Sequence, residues 1–200
     1  MERISQLERD YVNQVLDSAF TTSLNSVFNN RLETAFAKKF NQAYAIGHCN
    51  GTATLHTAVA ALGLKPGDEV VVPALTMTST SLGVLHNGSI PVFADSDLDT
   101  FEISAESIEK VITPQTKAEC YLGKYKGKYV GEFGDFSSFS FQVSKHLTAG
   151  EGGMLLCNKE ELADNARRFN CLGYAGVNAR QGKITRNDIQ DPQYSRHISL

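Results

Sequence analysis

The segment QAYAIGHCNGTATLHTAVAALGLKPGDEVVVPALT, Gln42 to Thr76, changes its hydrophobic period twice. Tyr44 to Ile46 reads as a short strand, and from Thr52 to about Leu62 the apolar residues recur at helical spacing. Gly63 and the Pro66-Gly67 pair then mark a turn, and Glu69 to Val72 is a β-branched run that suits a buried strand. A strand, a helix and a strand joined by short turns form a β-turn-α-turn-β unit, the element from which parallel sheets covered by helices are built.

The same alternation extends outward. Towards the N-terminus, Leu7, Tyr11, Val12, Val15 and Leu16, and later Leu32, Phe36 and Phe40, repeat at helical spacing around polar turn formers at 21–30, so two helices joined by a loop are expected. Beyond Thr76 the pattern predicts a helix over Thr78 to His86, a strand at Ile90 to Phe93 and a helix over Ala105 to Val111 beginning after Ser104. Further strands follow at Phe136 to Phe141 and Gly153 to Leu156, then an amphipathic helix through Leu162, Ala166 and Phe169. The fold class expected is therefore α/β, a mainly parallel sheet sandwiched by helices. Residues 1–40 form an N-terminal helical segment and 41–200 a single larger domain. One interval breaks the rhythm: only ITPQTKAEC separates the helix ending at Val111 from YLGKYKGKYVG, where a doubly wound sheet should continue with a strand, a helix and a strand of roughly 30 residues.

Composition narrows the function classes. With 19 basic and 22 acidic residues the net charge is −3, so no global field favours nucleic acid or an anionic membrane. No apolar run reaches the roughly 20 residues of a membrane span, and the charged start MERISQLERD has no signal-peptide core, so a cytoplasmic protein is expected. Cys49, Cys120, Cys157 and Cys171 lie far apart, without the spacing of a zinc site or a disulfide framework.

Two places carry chemistry. Asn50-Gly51-Thr52 opens an apolar helix; Gly51 suits a tight turn, and the free N–H groups and dipole at a helix start suit an anion such as phosphate, although Thr52 or Asn50 could simply cap the helix. Lys145 stands at a strand end, with Ser140 and Ser144 nearby and Ala149 to Gly153 following, a backbone that could approach a planar ligand closely. A lysine partly withdrawn from water has more free amine, able to condense with an aldehyde to a Schiff base; the alternative is a lysine that reaches solvent. Other residues receive structural readings. His56 is expected to pack on its helix, Asp95 and Asp97 to cap a turn, and Arg167 and Arg168 to solvate the late helix. Lys124, Lys126 and Lys128, alternating with Tyr125 and Tyr129, suit a hairpin with one wet face.

The runs NGTATLHTAVAALGLKPGDEVVVPALT, IPVFADSD and GDFSSFSFQVSKHLTAGEGGMLLCNKEELA resemble the DegT/DnrJ/EryC1/StrS family of pyridoxal-phosphate (PLP) sugar aminotransferases over nearly the whole chain. The resemblance implies the large domain of the fold type I PLP-dependent transferases, internally shortened and without the small C-terminal domain. It places the cofactor aldehyde on Lys145, and the cofactor phosphate on Gly51, Thr52, Ala53 and Ser140. Met77 falls where an aromatic residue usually covers the pyridine ring, and Glu119 in the Gln/Glu position of an acidic-small-small-Gln/Glu pattern. Three residues upstream of Glu119, where the family carries an aspartate paired with the pyridine nitrogen, stands Thr116. The implied reaction moves an amino group from glutamate or a similar donor to a nucleotide-linked keto sugar, in a homodimer when full length. The dehydratase branch of the family replaces the lysine with histidine, which Lys145 argues against. The alternative is a PLP-fold remnant that binds cofactor or a partner chain without turnover.

Overall fold

The computed structural model describes residues 4–18, 27–119 and 134–173. Two helices come first, α1 (Gln6–Asp17) and α2 (Val27–Lys39). α1 starts at a capping box: the Ser5 hydroxyl accepts from the Glu8 N–H, and the Glu8 carboxylate accepts from the Ser5 N–H. It buries none of its residues, whereas α2 buries Phe36 and Ala37.

The remaining elements follow the order β1 (Tyr44–His48), α3 (Gly51–Ala61), β2 (Glu69–Pro73), α4 (Ser79–Leu85), β3 (Ile90–Ala94), α5 (Ala105–Val111), β4 (Thr116–Glu119), β5 (Ser137–Ser140), β6 (Gly153–Cys157) and α6 (Glu160–Asn170). Every helix and strand expected from periodicity is present, with Ser104 capping α5 as anticipated: its side chain accepts from the Ser107 N–H. The interval that broke the rhythm contributes one strand, β4, which pairs parallel with β2.

The α/β class expected, with a mainly parallel arrangement covered by helices, is present, and of the described strands β6 alone runs against its neighbours. Among the described residues there are two three-stranded sheets, ordered β3-β2-β4 and β1-β6-β5. The first is parallel, with Val71 opposite Val92; the second is antiparallel, with Ile46 opposite Leu155 and Phe139 opposite Met154. The reason lies in the connections. Helices carry the chain from β2 to β3 and from β3 to β4, whereas β5 returns to β6 through residues 141–152 without a crossover helix, as antiparallel neighbours can. The strands at Tyr44 and Glu69, read above as one β-turn-α-turn-β unit, thus belong to different sheets with α3 between them.

Both sheets are covered on two faces. All five residues of β6 are buried: Leu155 and Cys157 pack with Ile46, Ala61, Ala163 and Ala166 on the side of α3 and α6, while Met154 and Leu156 pack with Phe36, Ala37 and Phe141 on the side of α2. In β2, Val70 and Val72 meet Val59 of α3 and Val84 of α4, and Val71 meets Ile108 of α5. Helix α3 therefore sends Ala61 into one core and Val59 into the other. Each fully buried aliphatic side chain contributes about 1.5–3 kcal/mol.

Arg167 corrects one sequence expectation. Instead of solvating α6 it is 9% exposed, donating to both carboxylate oxygens of Glu33 at 3.2 and 2.9 Å and to the Ala45 carbonyl at 3.1 Å. Glu33 Oε1 also accepts from the Gly47 N–H at 2.9 Å. The pair ties α2, β1 and α6 together, so its charge is matched where it is withdrawn from water. Asp97 caps a turn as expected, accepting from the N–H groups of Asp99 and Thr100 and from the Thr100 hydroxyl. His56 packs edge-on against His86 and Phe169. Cys49, Cys157 and Cys171 are free thiols. Cys120 and the lysine-tyrosine run at 124–129 lie outside the described residues.

Candidate functional site at the start of α3

Register places several of the expected residues at one end of the antiparallel sheet. His48, the last residue of β1, is opposite Gly153, the first of β6, and Gly153 is opposite Ser140, the last of β5. The chain leaving β1 turns at Cys49-Asn50 into α3, so the helix start lies over the same end. Asn50, not Thr52, is the N-cap: its Oδ1 accepts from the Ala53 N–H at 2.8 Å, and its carbonyl accepts from the Thr54 N–H at 3.3 Å. Ala53 therefore has its N–H occupied by the cap. The N–H groups of Gly51 and Thr52 have no acceptor among the described residues, and the Thr52 side chain is exposed.

Gly51 is needed for a reason other than the tight turn expected. It lies in the first turn of α3 outside the left-handed region, and a Cβ there would come 2.7 Å from the Ser140 Cβ and 3.2 Å from its Oγ. Gly153 makes a second close approach: a Cβ on it would lie 2.5 Å from the Asn50 carbonyl oxygen and 2.9 Å from the Thr54 Cγ2. The glycine run after Lys145, read above as a surface for a planar ligand, thus uses Gly153 to seat the helix start on the sheet. Thr54, fully buried, donates its hydroxyl to the Gly51 carbonyl at 2.6 Å and meets the Ser138 hydroxyl on β5. Sequence reading singled out neither Thr54 nor Ser138; a threonine on an apolar helix and a serine on a strand carry no signal until the two are brought together.

Lys145 follows Ser140 by five residues, in the turn between β5 and β6. The base of that turn is held by the Ala149 N–H and the Thr148 hydroxyl, both donated to the Phe141 carbonyl, and by the Lys145 N–H, donated to the Gln142 carbonyl. Ser144 donates its N–H and hydroxyl to Gln142 Oε1. Lys145 is exposed in this turn, which is the solvent-reaching one of the two readings its sequence context allows.

The other expected residues belong to the elements of the parallel sheet. Met77 is 72% exposed in the loop between β2 and α4. Glu119 ends β4. Thr116 is not placed as a ring-nitrogen partner would be: it starts β4 opposite Glu69, accepts from the Thr113 N–H and donates to Glu69 Oε2. It thus lies at the entry end of the parallel strands, away from the carboxyl ends where ligands bind such sheets.

His48 is the strongly perturbed group beside the helix start. Its Nδ1 lies 2.9 Å from the Ile46 carbonyl, which can only accept, so Nδ1 carries the proton; Nε2, 3.0 Å away, accepts from the Thr57 hydroxyl. Burial pushes the imidazole down to about 4, and it stays neutral at pH 7 as a structural tie between β1 and α3. No group of metal-binding side chains occurs among the described residues.

The arrangement fits a phosphate ester. Two unbonded N–H groups lie at the positive end of an 11-residue helix, with the hydroxyls of Thr52 and Ser140 beside them and a glycine admitting the strand end closely. An amine-bearing side chain stands one short turn further along the chain.

The profile of the DegT/DnrJ/EryC1/StrS aminotransferase family matches residues 2–121 and 118–189, two stretches that meet where the alternation of strands and helices is interrupted. The GDP-perosamine synthase of Escherichia coli O157:H7 is 37% identical, the match covering 84% of this chain and 55% of that protein. The GDP-perosamine synthase of Caulobacter vibrioides is 35% identical over 82% of this chain and 53% of the relative. The chain thus spans about half the length of the curated relatives it matches. Among solved structures, an aminotransferase from Psychrobacter cryohalolentis superposes with a TM-score of 0.77 at 30% identity, over 88% of this chain and 53% of that one. The E. coli GDP-4-keto-6-deoxy-D-mannose-3-dehydratase, with bound hydrated PLP, gives 0.75 at 26%, over 88% and 54%.

Proposed function

The chain belongs to the DegT/DnrJ/EryC1/StrS aminotransferase family, and from that premise we propose that it is the cofactor-binding portion of a PLP-dependent sugar aminotransferase. Its fold is that of part of the fold type I large domain. The observation that carries the proposal is the contact of Gly51 with Ser140, which sets an open helix start against the strand end leading to Lys145.

In this reading the N–H groups of Gly51 and Thr52 and the hydroxyls of Thr52 and Ser140 donate to the cofactor phosphate. Pyridoxal phosphate, when bound, supplies an aldehyde and a ring that draws off electrons. Lys145 would hold the aldehyde through its ε-amine, and as a free amine would serve as general base and then general acid at the donor Cα. Met77 is proposed to pack on the ring through its thioether, and Glu119 to line the same pocket. The donor is glutamate or a similar amino acid. The acceptor is a nucleotide-linked keto sugar; the relatives named GDP-perosamine synthase support a GDP-linked one. The active form is a homodimer, and the domains are the helical segment 1–40 and the cofactor-binding segment 41–200. A lysine at 145 supports amino transfer over dehydration.

One observation favours a second reading, binding without turnover: Thr116 is committed to Glu69 and is no carboxylate. Titration of the purified protein with pyridoxal phosphate, borohydride reduction and mass spectrometry test the proposal. The expected result is a cofactor-sized adduct on Lys145, absent after Lys145→Ala, together with amino transfer from glutamate to a GDP-linked keto sugar. An adduct without transfer establishes the second reading. No adduct at residue 145 overturns both.

A further inference from the structure

We propose that Thr54 and Ser138 are positioning residues for the phosphate-binding end of α3, their hydroxyls forming a relay that aims the Thr52 N–H at the cofactor phosphate; this rests on the PLP reading above. The direction of the relay follows from the proton count. Thr54 has one hydroxyl proton and donates it to the Gly51 carbonyl at 2.6 Å. The contact between Thr54 Oγ1 and Ser138 Oγ must then be a donation from Ser138. The chain runs Ser138 O–H to Thr54 O–H to Gly51 C=O.

The Gly51 carbonyl and the Thr52 N–H belong to one planar trans peptide, so they point in opposite directions. Holding the carbonyl inward therefore directs the N–H outward from the helix start, where no acceptor occurs among the described residues. Each donated proton also polarises the next group, strengthening that N–H as a donor. A threonine bonding back to the carbonyl three residues earlier is common in helices and by itself means little. The donation from Ser138 adds an anchor on β5, two residues before Ser140 and seven before Lys145. The same relay thus links the phosphate end of the site to the strand that delivers the lysine. Thr54 is fully buried, so water cannot replace the missing partner.

The test compares affinity for pyridoxal phosphate with affinity for pyridoxal, which lacks the phosphate, in the 200-residue chain and in Thr54→Val, Thr54→Ser and Ser138→Ala, with thermal melts in parallel. The expected result is that Thr54→Val and Ser138→Ala lower the ratio of the two affinities by about three- to tenfold, the weight of one hydrogen bond. Thr54→Ser keeps the ratio, and pyridoxal binding alone changes little. If Thr54→Val fails to fold, Ser138→Ala carries the test, since it leaves the threonine in place. A ratio unchanged in Ser138→Ala, or equal weakening of both ligands, overturns the proposal while leaving the PLP reading standing. If the unsubstituted chain binds neither ligand, the PLP reading fails first, and this one with it.

Discussion

Substituting Gly51 by alanine probes the contact on which the site rests. The added methyl would lie 2.7 Å from the Ser140 Cβ, 3.2 Å from its Oγ and 3.3 Å from its Cα, about 1 Å inside the carbon–carbon optimum of roughly 3.5–4.0 Å. Neither side can give way cheaply. Ser140 ends a strand paired with β6, and the helix start is held from another direction by Gly153, where the Asn50 backbone leaves no room. Overpacking of this kind costs about 1–3 kcal/mol. Alanine returns up to about 1 kcal/mol as the better helix former, leaving a net loss of about 1–2 kcal/mol. For a chain of this size that lowers Tm by roughly 2–8 °C. Ser140→Gly removes the two closest atoms and leaves only the Cα at 3.3 Å, so the double variant should recover most of the loss. Urea denaturation of the four proteins gives the coupling energy, expected at about 1 kcal/mol or more in favour of the pair. Additivity within about 0.5 kcal/mol would refute the steric argument, and with it the claim that glycine at 51 exists to admit Ser140.

Four other outcomes follow from the structure. Removing Arg167, as in Arg167→Leu, leaves Glu33 without its partner in the interior and should cost about 3 kcal/mol in urea denaturation. Because burial holds the His48 imidazole near 4 against an ordinary 6.5, the unfolded chain binds a proton between those values that the folded one does not. The contribution is fully present above pH 6.5 and fades as the pH falls to 4, by roughly 3 kcal/mol; His48→Gln should flatten that part of the stability-versus-pH curve. Thiol reagents under native conditions should label exposed Cys49 and spare Cys157 and Cys171, whose thiols burial pushes up to about 12 and about 11; mass mapping of the labelled sites decides it. Lys145→Arg keeps the charge of the exposed turn but cannot form the cofactor adduct, so melting should be unchanged within about 0.5 kcal/mol while the borohydride-fixed mass disappears.

Much of this architecture could be read from the chain alone. The elements from Tyr44 to Val111 follow hydrophobic period and turn residues, which are local signals, and the capping of α5 by Ser104 is local too. Lys145 and the Asn50-Gly51-Thr52 helix start were recognisable because strand end, glycine run and cap each leave a mark within a few residues. Arg167 was misread because its helix looks amphipathic with a charged face, and nothing nearby announces that Glu33, 134 residues earlier, will meet it. The sequence leaves Lys145 open between a shielded and a solvent-reaching side chain, because shielding depends on what covers a turn and not on the turn itself; the structure exposes it.

The linear order of residues determined which stretches became helix and strand, where α3 begins and which side chains could bear an amine or a hydroxyl. Only the tertiary structure decided that β1 and β2 part into different sheets, that Gly51 is required by Ser140, and that the hydroxyls of Thr54 and Ser138, 84 residues apart, meet. The physical reason is range: backbone preference and periodicity act over a turn or two, whereas steric fit and hydrogen-bond partnership between distant segments exist only once the chain has closed upon itself.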